Sequence, residues 1–240
     1  MAQRDARIAI VLTSHGTLGD TGKPTGFHYE ELAAPYWAFV DAGYTVDLAS
    51  IQGGEPPYDP NSLPDDPAEQ AGSVARFRAD ADACAKLRAT VPVGDLAAAD
   101  YAGVFLAGGH GTMWDFPHSA DLGRLLTAAH GLGRILGAVC HGPAGLIAAT
   151  RADGSPLIRG VRLNAFTDAE EQQVGLADTV PFLLESRLKD LGAPFEKSSP
   201  FRGCAVHDQG FVTGQNPRSS RAVAERMLTV IAESDTQDAA

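Results

Sequence analysis

Three short apolar runs, each followed by glycine or other small residues, constrain the fold of this chain most. They are RIAIVLT at 7–13, before SHG, YAGVFLAGGHG at 101–111, and RILGAVC at 134–140, before HGP. Nearly continuous apolar runs of this length are typical of parallel strands that helices cover on both faces. Ligands bind outside the carboxyl ends of such strands. The sequence therefore predicts a buried parallel sheet whose functional edge lies near these three loops.

Segments with helical spacing alternate with the strands. In GFHYEELAAPYWAFVDAGY, Phe27, Leu32, Tyr36 and Phe39 or Val40 recur at helical intervals, and Gly43 is a stop signal. Strand and helix in alternation predict a doubly wound α/β fold, and we expect one domain over residues 1–240. The other predicted elements are a strand at TVDLAS (45–50), an extended loop at 52–67, helices at 68–88, 120–132, 180–191 and 217–233, a helix start in GPAGLIAAT (142–150), a strand at 160–166 and two short strands around 204–214.

Composition excludes several classes of protein. The chain is 44% hydrophobic and 20% charged, as globular proteins are, and its formal net charge is −11 with 19 scattered Lys and Arg. That charge argues against a nucleic-acid partner. No stretch of about 18 apolar residues predicts a membrane span, and the first residues do not resemble a signal peptide. We therefore expect a cytoplasmic protein with no membrane partner.

Cys140, in GAVCHGPAGL, has the surroundings of a nucleophile. The three cysteines are odd in number and widely spaced, without a C-x-x-C pair, so neither a disulfide framework nor a metal site is expected. Ala138 and Gly142 are the small residues that a sharp strand-to-helix turn needs if it is to display a nucleophile. The start of the following helix would also favour a thiolate. The alternative is that Cys140 is a small buried core residue, and the flanking pattern favours the nucleophile.

Backbone donors and imidazoles near Cys140 could complete its chemistry. Gly108 and Gly109 offer unobstructed backbone N–H groups of the kind that form an oxyanion hole. His141 could act as a base, because imidazole titrates near neutral pH, or could serve only in packing. Among the other histidines, which are expected to be ordinary, His110 is the strongest exception.

The carboxylates leave alternatives open. Glu30 and Glu31 begin the first long helix, where acidic side chains often only complement the helix dipole. One of them could instead point at Cys140, and periodicity does not decide which. The acidic stretch TDAEEQQ at 167–173 could be a solvated turn or could orient a histidine. The loop at 52–67 and TMWDFPHS at 112–119 could shape a pocket, with Trp114 either in its wall or in the core.

These motifs together resemble the ThiJ/PfpI superfamily, whose fold is that of the class I glutamine amidotransferases. They are similar in particular to its heat-shock-protein-31-like, glutathione-independent glyoxalase III subgroup. The segments that carry the resemblance are TGFHYEELAAPYWAFVDAGYTVDLAS, AGGHGTMWDFP, GAVCHGPAGL, FTDAEE and VTGQNPRSS, and they span nearly the whole chain.

The resemblance implies a flavodoxin-like three-layer sandwich with a mostly parallel sheet, a homodimer and no cofactor. It assigns the nucleophile to Cys140 and the histidine to His141, and it selects Glu31 over Glu30 because Glu31 lies twelve residues before Gly43 of the AGY turn. It places the oxyanion hole at Gly108 and Gly109, with the His141 backbone as a second donor. An acidic residue that supports the histidine would be Glu170 or Glu171. The chain has no clear counterpart of the metal ligands of some relatives.

The resemblance further implies conversion of methylglyoxal or another small 2-oxoaldehyde to a 2-hydroxy acid through a hemithioacetal on Cys140. Two other functions are compatible with the same residues. One is a cysteine hydrolase, hydratase or protein deglycase, which would use the same nucleophile. The other is a stress-protective holdase or an oxidation sensor, in which Cys140 is oxidised instead of turning over a substrate.

Overall fold

The computed structural model describes residues 6–64 and 66–238 and contains one seven-stranded sheet. The strand order is β3-β2-β1-β4-β5-β7-β6; β6 and β7 form an antiparallel hairpin, and the other neighbours pair in parallel. The order reverses between β1 and β4, and such a switch point opens a crevice at the carboxyl edge. The strands are β1 (Arg7–Leu12), β2 (Thr45–Ser50), β3 (Val91–Pro92), β4 (Gly103–Leu106), β5 (Ile135–Val139), β6 (Ala205–Asp208) and β7 (Phe211–Gly214).

Helices cover both faces of the sheet, so the central strands are buried on both sides. Ile8 and Ile10 of β1 belong to the core under the first and last helices, whereas Ala9 and Val11 belong to the core under α5. This alternation follows from the two-residue period of a strand, and it yields the predicted three layers. The helices are α1 (Tyr29–Asp41), α2 (Gly72–Ala79), α3 (Ala81–Arg88), α4 (Thr112–Asp115), α5 (Ala120–Gly131), α6 (Asp168–Gln173), α7 (Leu184–Asp190) and α8 (Ser220–Asp238).

Two predicted helices have a different form in the structure. The single helix predicted at 68–88 is two helices, because Asp80 has an extended backbone and its carboxylate accepts a hydrogen bond from the Ala83 N–H at 2.8 Å. Asp80 is therefore the N-cap of α3. The segment after Cys140 is a 3₁₀ helix, Gly142–Ala148, and not an α-helix. A Cβ on Gly142 would lie 2.3 Å from the Leu106 oxygen, so this segment packs too closely on β4 for a larger residue.

The strand predicted at 160–166 is wrong. The segment belongs to no strand of the sheet and makes one isolated bridge, between Leu163 and Phe195. Side-chain oxygens take the backbone N–H groups that a neighbouring strand would have bound: Asp208 accepts from the Arg162 N–H at 2.8 Å, and Thr213 accepts from the Asn164 N–H at 2.9 Å. The backbone groups are thus satisfied without a ladder.

The remaining predicted elements are present with shifted ends. The helix predicted at 180–191 is α7, and that predicted at 217–233 begins as a 3₁₀ turn at Pro217–Ser219 and continues as α8. The two strands around 204–214 form the β6–β7 hairpin. In the described part of the chain, none of the helices has the length and apolar character needed to cross a lipid bilayer.

Candidate active site

Cys140 lies at a strained turn at the carboxyl end of β5. Its φ angle is 58°, in the left-handed region that non-glycine residues rarely adopt. Two hydrogen bonds hold it there: its N–H donates to the Gly214 oxygen at 2.9 Å, and its carbonyl accepts from the Phe166 N–H at 2.8 Å. Strain that the surroundings hold in place in this way is typical of functional sites. The turn has the geometry of a nucleophile elbow, as the small flanking residues predict.

A buried carboxylate orients two histidines beside the thiol. Glu171 accepts from His141 Nε2 at 2.7 Å through one oxygen and from His110 Nε2 at 2.9 Å through the other. The His141 ring then presents Nδ1 to the Cys140 Sγ, 3.3 Å away. Because the carboxylate binds the Nε2 proton, the lone pair of His141 faces the thiol. This arrangement makes His141 Nδ1 a competent base toward Cys140.

Glu31 lies on another side of the thiol and is fully buried. Its carboxyl lies beside the Cys140 thiol and the Gly108 backbone, and His28 Nδ1 is 4.0 Å from one of its oxygens. Within the described residues neither Glu31 oxygen has a hydrogen-bond partner. A Cβ on Gly108 would lie 2.4 Å from the other oxygen, so glycine is required there. Glu30, its neighbour, turns away and accepts from the Ser73 hydroxyl at 2.8 Å. The structure therefore brings Glu31, and not Glu30, to Cys140.

Burial determines which of these groups hold protons. It raises the pKa of the Glu31 carboxyl to about 8 and lowers that of His28 to about 4. Burial, together with the nearby His110, also lowers the pKa of His141. Burial opposes ionisation of Glu171, but His141 and His110 hold its pKa below its usual range. At neutral pH the site therefore contains a protonated Glu31, neutral His28 and His141, and an ionised Glu171.

The expectation that a helix start favours a Cys140 thiolate is not met. Burial, reinforced by Glu31, raises the pKa of the Cys140 thiol. The thiol is only 4% exposed, and the segment that follows is a short 3₁₀ helix and not an α-helix. Cys140 therefore rests as a thiol at neutral pH.

The adjacent acidic residues of α6 have separate contacts. Glu171 binds the two histidines, whereas Glu170 accepts from the Thr167 N–H and hydroxyl through one oxygen, at 2.9 and 2.8 Å. The other Glu170 oxygen accepts from the Phe201 N–H at 2.7 Å and the Asn216 amide at 2.8 Å. Of the two candidates, Glu171 supports His141 and Glu170 anchors the surrounding chain.

A cavity of about 550 Å³ opens over Cys140. Gly109 and His110 contribute to its wall. The Gly108 N–H faces Glu31, so Gly109 is the better placed of the two glycines for the predicted oxyanion hole. The loop at 52–67 supplies four lining residues, Asp59, Pro60, Asn61 and Ser62, as the sequence suggested.

Trp114 has a packing role and lies outside this cavity. Its ring stacks on His15 with centroids 5.1 Å apart, and the neighbouring Asp115 accepts from the Thr13 hydroxyl and the Ser14 N–H. The SHG and TMWDFPHS segments thus bind each other beside the site. Of the two readings of Trp114, the structure favours core packing.

Three residues near the thiol escaped the sequence analysis. His28, Phe166 and Phe201 all line the cavity. His28 lies three residues before Glu31 and is the N-cap residue of α1, a spacing that could have drawn attention to it. Phe166 and Phe201 come from irregular segments, where no periodicity marks a functional face.

His110, His141 and Glu171 could in principle hold a metal ion. They offer three ligand atoms that all lie within 4.8 Å of one another. In the structure the same atoms bind each other through the two histidine–carboxylate hydrogen bonds. Those hydrogen bonds account for the cluster, and we derive no step through a metal.

Comparison with known proteins places this site in a family. Residues 24–229 match the DJ-1/PfpI family. The chain belongs to this family. It is 28% identical to the glutathione-independent glyoxalase hsp3101 of Schizosaccharomyces pombe, over 96% of this chain and 97% of that one.

Solved structures of similar proteins have the same fold. The Rapid Encystment Protein of 24 kDa from Francisella tularensis superposes with a TM-score of 0.90 at 33% identity, over 94% of this chain and 99% of that one. Glyoxalase III from Candida albicans superposes with a TM-score of 0.85 at 28% identity, over 94% and 97% of the two chains. The flavodoxin-like α/β sandwich of the family is therefore the fold of this chain.

Proposed function

We propose that this protein converts methylglyoxal, or a similar small 2-oxoaldehyde, to the 2-hydroxy acid without glutathione. The observation that carries the proposal is the setting of the Cys140 thiol: a neutral imidazole lies 3.3 Å away, and a buried carboxyl that keeps its proton lies beside it. These groups supply the nucleophile, base and acid that an internal oxidation and reduction of a 2-oxoaldehyde needs. Two of the relatives described above, hsp3101 of Schizosaccharomyces pombe and glyoxalase III of Candida albicans, carry names that agree with this reaction.

The first step is addition of the thiol to the aldehyde carbon. His141 Nδ1 accepts the thiol proton while Sγ bonds to C1, and the proton then passes to the C1 oxygen. The product is a hemithioacetal, and the Gly109 backbone N–H can stabilise the oxyanion that forms on the way. Glu171 stabilises the imidazolium that forms transiently on His141.

The second step moves hydrogen from C1 to C2. Neutral His141 removes the C1 proton while the Glu31 carboxyl protonates the C2 oxygen, which gives an enediol. His141 then returns its proton to C2, and the C1 hydroxyl returns a proton to Glu31. C1 has been oxidised to a thioester and C2 reduced to an alcohol. Water then cleaves the thioester, releasing the 2-hydroxy acid and the Cys140 thiol.

Lactate formation from methylglyoxal, with no added thiol, tests the proposal. We expect turnover by the unmodified protein. Cys140→Ala should lower kcat/KM on the order of a thousandfold because no hemithioacetal can form. Glu31→Gln should lower it on the order of a hundredfold because the amide cannot protonate the C2 oxygen.

Cys204→Ala is the matched control for thiol chemistry. Cys204 is a half-buried free cysteine outside the cavity, so its variant should turn over methylglyoxal at the unmodified rate. Equal rates for the unmodified protein and Cys140→Ala would refute the mechanism. Release of amine from glycated lysine that needs Cys140, without lactate from free methylglyoxal, would favour the deglycase alternative. Suppression of protein aggregation that survives Cys140→Ala, with no turnover at all, would favour the holdase.

A further inference from the structure

The cavity over Cys140 is larger than methylglyoxal requires. Its volume of about 550 Å³ lies within the range of pockets that enclose drug-sized ligands, roughly 300–1,000 Å³. Methylglyoxal carries only a methyl group beyond its two carbonyl carbons. Of the residues that line the cavity, the proposed chemistry uses Cys140, His141 and Gly109, and it leaves most of the others without a role.

Aromatic side chains form one wall from the reacting groups outward. The Phe166 ring lies 4.5 Å from the His141 ring, centroid to centroid, and its backbone N–H binds the Cys140 carbonyl. Phe201 meets Phe166 in an edge contact at 6.2 Å. Both rings line the cavity, so a group attached at C2 of a bound substrate would meet an aromatic surface.

Phe201 is held in an unfavourable conformation at this wall. Its φ is 57°, and the residue is 37% exposed. The buried Glu170 accepts the Phe201 N–H at 2.7 Å and keeps the turn in place. A bulky residue in the left-handed region costs stability and persists where the surroundings enforce it, which points to a use for the ring.

Other apolar side chains continue the wall, and the charges of the cavity balance. Leu18, Val174 and Leu176 line it, and Val174 is 43% exposed. Exposed apolar residues clustered at a cavity commonly mark a binding surface. Lys23 and Asp59 line the cavity with opposite charges, so the cavity does not select an anionic or cationic substituent.

We propose that the preferred substrates are 2-oxoaldehydes with a large apolar substituent, aryl or long alkyl, which binds against Phe166 and Phe201. This inference rests on the proposed function and specifies its substrate class. The aldehyde carbon lies at Cys140 and the substituent extends toward Phe201. Burial of an aryl group against the aromatic wall stabilises both the bound substrate and its transition state.

Kinetics with phenylglyoxal and methylglyoxal test this proposal. We expect kcat/KM for phenylglyoxal to exceed that for methylglyoxal by about tenfold or more, given the selectivity that apolar pockets reach per buried group. Phe201→Ala should lower this ratio by about tenfold. Comparing the ratio between variants cancels the difference in intrinsic reactivity of the two aldehydes.

Two control variants separate the aromatic wall from general effects. Phe201→Tyr keeps the ring and should keep the ratio. Leu132→Ala removes an apolar side chain that is 52% exposed and lies outside the cavity, and it should also keep the ratio. Urea unfolding of each variant shows whether it is folded.

Inhibition by the corresponding acids gives a second readout that needs no reactive aldehyde. Mandelate should inhibit methylglyoxal turnover at lower concentration than lactate, and Phe201→Ala should remove that difference. Methylglyoxal turnover with a ratio unaffected by Phe201→Ala would overturn this inference and leave the proposed function intact. Absence of turnover on both aldehydes would overturn the proposed function and the inference together.

Discussion

Individual residues determine where the protons of the site lie. Cys140 and Glu31 both keep their protons at neutral pH because burial penalises the charged form of each. His141 is neutral and has its free nitrogen toward the thiol. In the proposed mechanism, ionisation of Cys140 is therefore coupled to substrate addition, and His141 is the immediate proton acceptor.

The raised pKa of Glu31 lowers the free energy of unfolding at neutral pH. Burial raises this pKa from 4.5 to about 8 in the folded protein. Between these pH values the unfolded chain loses the proton and the folded chain keeps it, so the stability present below pH 4.5 is lost as pH rises toward 8. At about 1.4 kcal/mol for each pH unit, the loss at pH 7 is on the order of 3 kcal/mol.

Glu31→Gln should therefore stabilise the protein while lowering its activity. The amide does not ionise, so urea unfolding should give a free energy greater than that of the unmodified protein by on the order of 3 kcal/mol at pH 7. The gain should shrink to about 1 kcal/mol at pH 5 and vanish below pH 4.5. Glu30→Gln is the matched comparison: burial raises the pKa of the Glu30 carboxyl as well, but Glu30 is only partly buried and its hydrogen bond from Ser73 opposes the shift, so we expect a smaller gain than for Glu31→Gln. A Glu31→Gln gain that is constant with pH would contradict the raised pKa.

Sequence could identify Cys140 and His141 because their signal is local. Small flanking residues mark the elbow, and the thiol and imidazole are adjacent in the chain. The choice of Glu31 over Glu30 required the family resemblance, since both begin the same helix and differ only in which side of α1 they occupy. Glu171 and Glu170 stayed unresolved for the same reason, because their orientation depends on how α6 packs.

At the scale of elements, α6 assigns different tasks to two adjacent carboxylates. Thr167 and Glu170 form a capping box at its start, which fixes the helix end. The next residue, Glu171, then points at His141 and His110. Within one turn of α6, Glu170 therefore holds the surrounding chain in place and Glu171 determines the tautomer of His141.

Amide substitutions should separate these tasks. Glu171→Gln leaves an NH₂ facing one of two histidine Nε2 atoms, which forces that imidazole into the other tautomer. We expect lactate formation to fall on the order of a hundredfold when His141 is affected, and the free energy of unfolding at neutral pH to fall as well, because the carboxylate whose pKa is lowered stabilises the folded protein. Glu170→Gln places an NH₂ against backbone and side-chain donors, because both of its oxygens accept hydrogen bonds.

The expected cost of Glu170→Gln is about 2 kcal/mol in the free energy of unfolding, which is the penalty of a buried donor without an acceptor. The kcat for methylglyoxal should fall much less than in Glu171→Gln. Urea midpoints and kcat measured for both variants check this. If Glu170→Gln were the more damaging to catalysis and the less damaging to stability, the roles assigned to the two residues would be reversed.

The order of strands and helices followed from the sequence more reliably than their limits. Apolar runs predicted the central strands β1, β4 and β5, because a strand that is buried on both faces must be apolar along nearly its whole length. The break at Asp80 and the extended segment at 160–166 depend on side-chain hydrogen bonds to backbone groups. One of these bonds is made by a single capping side chain, and the other joins residues that are far apart in the chain. The periodicity of apolar residues carries no information about either.

At the scale of the whole molecule, the sheet brings together parts of the site that are distant in the chain. Glu31 comes from α1, Gly109 from the loop after β4, Cys140 from the end of β5 and Glu171 from α6. The register that pairs Leu106 with Ala138 places the glycine loop beside the elbow. The homodimer and the cytoplasmic location implied by the sequence stay predictions, which sedimentation and cell fractionation can test.

Close contact between β5 and α8 supports the elbow from behind. A Cβ on Gly137 would lie 2.1 Å from Met227 Sδ and 2.9 Å from a Phe105 ring carbon, so Gly137→Ala must displace these two core side chains. Overpacking of a dense core costs about 1–3 kcal/mol, and we expect that loss in urea unfolding, with a lower kcat because Cys140 follows three residues later. Gly131→Ala, at the end of α5 with open space around it, should leave both quantities nearly unchanged. A Gly137→Ala protein as stable as Gly131→Ala would show that the β5–α8 contact yields easily and does not hold the elbow.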